Sequence, residues 1–194
     1  MTTTSEPDTG RDADVVALLI GQHMEIRDLF AEVQSSAGEQ RADAFARLVR
    51  LLAVHETAEE VVVHPAARRS VDGGDAIVED RLAEEEHAKE QLARLESIGT
   101  EDPSFPEELA RLREAVLRHA HHEEAYEFRY LRRHHDPEQL RRMAAMVRAA
   151  ERAAPTHPHP STQSATANLL AGPAVALFDR VKDAMRSALS DERK

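Results

Sequence analysis

The sequence predicts an all-α protein: an up-down-up-down antiparallel four-helix bundle with a C-terminal helical extension. Three observations point there. Ala, Leu, Arg and Glu dominate a chain with only 7 Gly and 4% aromatic residues, a composition that favours helix over sheet. Apolar residues recur at alternating steps of three and four in four successive stretches. A polar motif also repeats within those stretches: His55-Glu56-Thr57-Ala58-Glu59-Glu60 is echoed by His119-Ala120-His121-His122-Glu123-Glu124. The two motifs lie 64 residues apart, as do His23 and His87, and within each half the histidines lie 32 apart. One translational rule thus covers four histidines and two glutamates, as expected of a duplicated helical pair.

Residues 1–11 are rich in Thr, Ser, Asp, Pro and Gly and are expected to form a loose arm. The bundle is expected over residues 12–135. The first helix runs from about Asp12 to Val33, with Val16, Leu19, Ile26, Phe30 and Val33 on one stripe and His23 in its middle. After a break at Ser35-Ser36-Ala37-Gly38, the second helix runs to about Arg69, bent by Pro65. Its stripe is Leu48, Leu52, His55, Glu59, Val62 and Ala66, so a His and a Glu interrupt an apolar seam. Asp72-Gly73-Gly74 marks a turn, and the third helix spans about Asp75 to Ile98, ending at Gly99. The face around His87 is the most polar of the four. The fourth helix opens with Ser104-Phe105-Pro106-Glu107, a capping-box pattern with proline in the first turn. Leu109, Leu112, Val116, His119, Glu123, Tyr126 and Tyr130 form its stripe. With short turns, antiparallel packing brings the four histidines to a similar depth.

Asp136-Pro137-Glu138-Gln139 starts an additional helix over 136–153. Residues 154–173 form a Pro/Ser/Thr-rich linker, and 174–194 form an amphipathic helix with Phe178, Val181, Met185 and Leu189 on one side. That last helix is expected to fold back over a bundle groove or to stay loose. The alternative is a tethered segment for a protein partner or a membrane surface.

Residues four apart on a helix share a face. His55 with Glu59, and His119 with Glu123, therefore each offer a nitrogen and an oxygen, and His23 and His87 each add a nitrogen. Two carboxylates can bridge two metal ions with two histidines at each end, a donor set suited to iron, manganese or zinc. Six protein ligands leave positions for water, an oxo or hydroxo bridge, a small exogenous ligand or a further side chain. Glu56, Glu60, Glu84 and Tyr126 are the candidates, and Tyr126 is the one placed to touch a bound oxygen species. The competing arrangement is a buried ion-pair network with arginines such as Arg27 reaching in. His64, nine residues after His55, is expected on the opposite side of its helix. His121, His122, His134, His135, His157 and His159 are also not expected to be ligands.

Charge and composition exclude several classes. With Lys+Arg 25 and Asp+Glu 36 the net charge is −11, which weighs against neutralising nucleic-acid phosphates. The absence of Cys removes disulfides and thiolate clusters. No apolar run has the length of an integral membrane segment, and Met1 to Gly10 carries no apolar signal core, so a cytoplasmic location is expected.

The ordered motifs (His23, then His55-x-x-x-Glu59, His87, and His119-x-x-x-Glu123) resemble the hemerythrin-like HHE cation-binding domain family. Asp14-Val-Val-Ala-Leu-Leu-Ile-Gly-Gln-His23, Leu-Leu-Ala-Val-His55-Glu-Thr-Ala-Glu59-Glu and Val-Leu-Arg-His119-Ala-His-His-Glu123-Glu carry that resemblance over residues 12–135. It implies a non-haem di-iron site with His23, His55, Glu59, His87, His119 and Glu123 as ligands, Glu59 and Glu123 bridging, and manganese or zinc as less favoured metals. Oxygen-carrying members place two histidines four apart on the third helix. Here the neighbours of His87 at that spacing are Ala83 and Gln91, which argues against stable oxygen carriage. The function expected is therefore binding of, or reaction with, dioxygen, peroxide or nitric oxide, as a sensing or binding module. The alternatives are a peroxide-consuming or nitric-oxide-reducing enzyme, or an iron-handling protein.

Overall fold

The first helix starts where a side chain can satisfy a free N–H group of its first turn. In the computed structural model, which describes residues 13–70, 73–153 and 178–183, Asp14 accepts from the Ala17 N–H at 2.7 Å and opens α1 (Val15–Ser35). The chain turns at Ala37 into α2 (Gly38–Ala58), which continues through a π-helical turn (Glu59–Val63) into α3 (His64–Ser70). Then come α4 (Gly74–Ile98), α5 (Phe105–Ala125), α6 (Glu127–His134) and α7 (Pro137–Ala153). Spatially, α2 to α3 is one long helix and α5 to α6 another, so with α1 and α4 the expected four-helix bundle results. α7 is the additional helix and lies chiefly against α1.

The turns obey local chemistry, with one departure from expectation. Gly99, at φ +78°, ends α4 in a backbone conformation that glycine adopts without a Cβ penalty. Gly74 does something different: a Cβ there would come within 2.8 Å of the Ala67 carbonyl oxygen, so its bareness lets α4 begin in contact with α3. Ser104 does not cap α5. Its hydroxyl turns back to Asp102, and the α5 N-terminus relies on Pro106 in the first turn instead. The full reciprocal cap is at α7, where Asp136 accepts from the Glu138 and Gln139 N–H groups and Gln139 Oε1 accepts from the Asp136 N–H.

Apolar layers fill both ends of the bundle. At one end Phe30, Val33, Phe45, Leu48, Leu95, Phe105, Leu109 and Leu112 interlock, with the Phe45 and Phe105 rings edge to face at 5.2 Å. At the other, Phe128 and Leu131 are buried beside α3. The polar cluster lies between these layers. Residues 178–183 are helical and return to the bundle: Val181 is buried in its core, Phe178 packs against the core and lies 5.2 Å from Lys89 Nζ, and Lys182 pairs with Glu60. The linker expected over 154–173, and the remainder of the last helix, lie outside the described residues. Among the described residues no helix is long and apolar enough to cross a membrane.

Candidate metal centre

Five of the six residues singled out from spacing meet at mid-bundle. α1 contributes His23, α2 contributes His55, the first residue of the π turn is Glu59, and α5 contributes His119 and Glu123. All are at most 6% exposed. Each imidazole is oriented in the same way. His23 Nδ1 donates to Glu124 at 2.8 Å, His55 Nδ1 to Gln22 Oε1 at 2.7 Å, and His119 Nδ1 to Glu84 at 3.1 Å. An outward N–H fixes the tautomer and turns the Nε2 lone pair inward, the arrangement that orients metal-bound histidines.

The inward atoms face carboxylates. His23 Nε2 is 3.3 Å from Glu123 Oε2 and His55 Nε2 is 3.3 Å from Glu59 Oε1. His119 Nε2 is 3.8 Å from Glu59 Oε2 and 3.5 Å from Glu123 Oε1. The two oxygens of each glutamate thus face opposite halves of the site. Donor atoms of His23, His55, Glu59 and Glu123 lie within 4.8 Å of one another, and so do those of Glu59, Glu85 and His119. These are spacings at which several ligands can share one ion.

The donor set calls for a cation. His23 Nε2, His119 Nε2, and both carboxylate oxygens of Glu59 and of Glu123 are buried without a hydrogen-bond partner. Leaving one buried polar group unpaired costs about 1–3 kcal/mol and a charged one more, so this concentration is unstable unless an ion occupies the space. In metal-free protein, burial and the neighbouring Glu123 charge push Glu59 well above the usual carboxylate range. Burial acts the same way on Glu123, but His119 and His23 overcome it and hold Glu123 well below. Burial lowers His119, yet Glu123, Glu59 and Glu84 together raise it well above an ordinary imidazole. His55 is lowered by burial and by the adjoining His23 and His119. The imidazolium is a poor substitute for a metal ion, since one proton cannot serve two carboxylates and three imidazoles.

His87 is not part of this cluster. The inward face of α4 is Val78, Arg81, Glu85, Ala88, Leu92 and Leu95, a regular alternation of three and four that leaves position 87 outside. The His87 side chain is 59% exposed and its Nε2 accepts from Gln91 at 3.0 Å. Glu85, 1% exposed, takes the inward place.

His64 is the opposite case, expected outside and found inside at 3% exposure. The π turn explains it. The His64 N–H reaches back to Glu59, five residues away rather than four, so the turn holds one surplus residue and rotates all that follows back by about 100°. Pro65 supplies the reason, because its ring would clash with the Val61 carbonyl in a regular α-helix. His64 Nε2 then donates to Glu85 Oε1 at 2.7 Å, and its Nδ1 lies 3.7 Å from Glu127.

A second slip follows Glu123. At Tyr126 the backbone leaves the helix (φ −118°, ψ −69°), and the inward positions become Glu127, Phe128 and Leu131. Tyr126 is accordingly 56% exposed and does not reach the centre. Glu127 is buried instead, and burial with the Glu123 charge raises it to about 7. Glu56, also buried, is raised to about 8 by burial and by Glu85. The remaining candidates have other tasks. Glu84 orients His119 and His122, Glu60 binds Lys89 and Lys182, and Arg27 is exposed, so no Arg27 ion pair fills the core. The buried arginine of this region is Arg81, whose Nε is 2.9 Å from Glu84.

Comparison with known proteins agrees with this geometry. The hemerythrin HHE cation binding domain matches residues 14–131. An uncharacterised hemerythrin-like protein of Schizosaccharomyces pombe is 29% identical over 136 residues, 69% of this chain and 67% of that protein. A protein of Nostoc described as a DNA nickase is 26% identical over 142 residues, 73% of this chain but only 40% of its own length. In fold, the chain is similar to the crystal structure of a hemerythrin HHE cation binding domain-containing protein from Mycobacterium kansasii. The TM-score is 0.67 at 18% identity, over 87% of this chain and 99% of that one. A helical bundle with a buried His/Glu cluster at its centre, matched over most of the bundle, belongs to the hemerythrin HHE cation binding domain family.

Proposed function

We propose that this chain is a dinuclear non-haem iron protein whose centre binds or reacts with a small oxidant: dioxygen, peroxide or nitric oxide. The supporting observation is the set of three buried imidazoles whose Nδ1 atoms are tied outward while their Nε2 atoms face two carboxylates that have no other partner. His23 and His55, with one oxygen each of Glu59 and Glu123, would hold one ion. His119 and the other oxygens of the same glutamates would face the second. Mixed imidazole and carboxylate donors suit iron, with manganese and zinc as weaker candidates. When bound, a pair of irons supplies two redox equivalents and open coordination positions side by side. Glu124, Gln22 and Glu84 hold the rings in register, and Phe128, stacked on His23 at 5.7 Å, keeps water from that flank.

One observation favours turnover over reversible binding. Glu85 places a further buried carboxylate within donor distance of Glu59 and His119, and Glu127 is buried on the other side of His64. Anionic oxygen donors stabilise the higher-charged state of a metal, which makes its oxidation harder to reverse. The alternative reading is therefore a peroxide-consuming or nitric-oxide-reducing enzyme.

The test is metal content together with the ultraviolet-visible spectrum as the reduced protein meets dioxygen and then peroxide. Two irons per chain with bands that return on removing oxygen support a binding or sensing module. Two irons that oxidise irreversibly while peroxide is consumed support the enzyme. Iron-free protein that still shows full stability would overturn both.

A further inference from the structure

The two halves of the centre do not offer the same chemistry. In the first, two imidazole nitrogens (His23 and His55 Nε2) meet one oxygen each of Glu59 and Glu123. In the second, His119 Nε2 is the single imidazole nitrogen among the grouped donors, facing Glu59 Oε2 and Glu123 Oε1, with Glu85 alongside. Glu85 is 1% exposed and its Oε2 has no hydrogen-bond partner, the nearest cation being Lys89 Nζ at 3.8 Å. Its other oxygen is held at 2.7 Å by His64. His64 can do this only because the π turn has rotated it inward. Its Nε2 is engaged by Glu85 and its Nδ1 faces Glu127, so it serves as a strut between two carboxylates.

We infer that the two metal positions are unequal: α4 serves the second position through the Glu85 carboxylate rather than a histidine, His64 is the positioning residue that aims Glu85, and divalent cations bind in two resolved steps. The inference rests on the dinuclear reading above. The first position, with two nitrogens, favours Zn(II) or Fe(II). The second, with one nitrogen and three carboxylates, favours a harder ion such as Mn(II). A chain given one equivalent of Zn(II) and then Mn(II) therefore ends with one of each.

The experiment uses the full chain stripped of metal. Calorimetric titration with Zn(II) should show two steps whose affinities differ at least tenfold. Protein holding one Zn(II) should take up one Mn(II), with the electron paramagnetic resonance spectrum of an isolated Mn(II) ion. Glu85→Gln, close in shape to the wild type, should keep the first step and lose or weaken the second by at least tenfold. His87→Ala should keep both. His64→Gln should weaken the second step by about 10–100-fold and broaden or shift the Mn(II) spectrum, whereas a purely structural role would leave that spectrum unchanged. Circular dichroism establishes that each variant folds. Wild-type protein binding fewer than two ions would overturn the dinuclear reading. Two ions binding in one step, or loss of an ion from His87→Ala but not from Glu85→Gln, would leave the dinuclear reading intact and overturn this inference alone.

Discussion

Raising the pH of metal-free protein from 6 to 9 should lower its thermal unfolding midpoint by at least about 10 °C. Glu127 and Glu56 are held at about 7 and about 8 by burial and by neighbouring carboxylates, against an ordinary value of 4.5. Each binds its proton more tightly folded than unfolded. Their contribution is therefore complete below the unfolded value and is lost as pH rises through 7 and then 8. At about 1.4 kcal/mol per pH unit per proton, the two together lose about 4 kcal/mol between pH 6 and 9. His55 opposes them, because burial lowers it and its unfolded form sheds a proton over the same range. That returns at most about 1 kcal/mol. Glu59, His119 and His64, all raised, act in the same direction as the two glutamates. Even without those three, the loss is about 3 kcal/mol, which corresponds to roughly 10 °C for a domain of this size. Scanning calorimetry in chelator at pH 6, 7.5 and 9 measures it, and Glu56→Gln should make the slope shallower. Metal-loaded protein should show a much flatter profile, since the bound cations compensate the carboxylates. A metal-free midpoint that stays constant or rises towards pH 9 would refute the reasoning.

Three further outcomes are expected. Glu59→Ala should reduce metal content below one ion per chain by elemental analysis, because the two oxygens of Glu59 face separate halves of the site. Tyr126→Phe should leave metal content and reactivity with peroxide unchanged, since the ring is exposed; a change in the spectrum would restore Tyr126 to the centre. Asp136→Ala, which removes the acceptor for two N–H groups at the start of α7, should cost about 1 kcal/mol in urea unfolding with no effect on metal content.

The bundle was legible because burial imposes a period, and the period was unbroken over α1, α2 and most of α5. The repeated spacing of His55 with Glu59 and His119 with Glu123 placed both pairs inward without any knowledge of the neighbours. Extending the translational rule to His87 failed for a physical reason. Position 87 kept its spacing along the chain, but the side of α4 that packs is set by Val78, Ala88, Leu92 and Leu95. That apolar set, taken by itself, selects Glu85. The misplacement of His64 and Tyr126 has another origin, since both follow a local change in helical winding that no fixed 3.6-residue period carries. Pro65 was the available signal for the first. A proline at that position predicts a bend, whereas its consequence here is a widened turn just before it. No comparable residue marks the second slip at Tyr126.

The π turn also bears on chain length. It is one residue more than a regular helix needs between Glu59 and His64, so excising Val61 together with Pro65→Ala, which removes the ring that bars a regular helix, should close it into continuous α-helix while His64, Ala66 and Ala67 keep their inward phase. Such a shortened chain would exchange the wide turn that begins at Glu59 for an ordinary one. Its expected profile is greater resistance to unfolding together with a displaced Glu59 and weaker metal retention, the exchange of stability for function seen when a local irregularity at a site is removed. A one-residue length difference at this point among homologous chains would then mark a difference in the centre itself, not neutral drift in a helix.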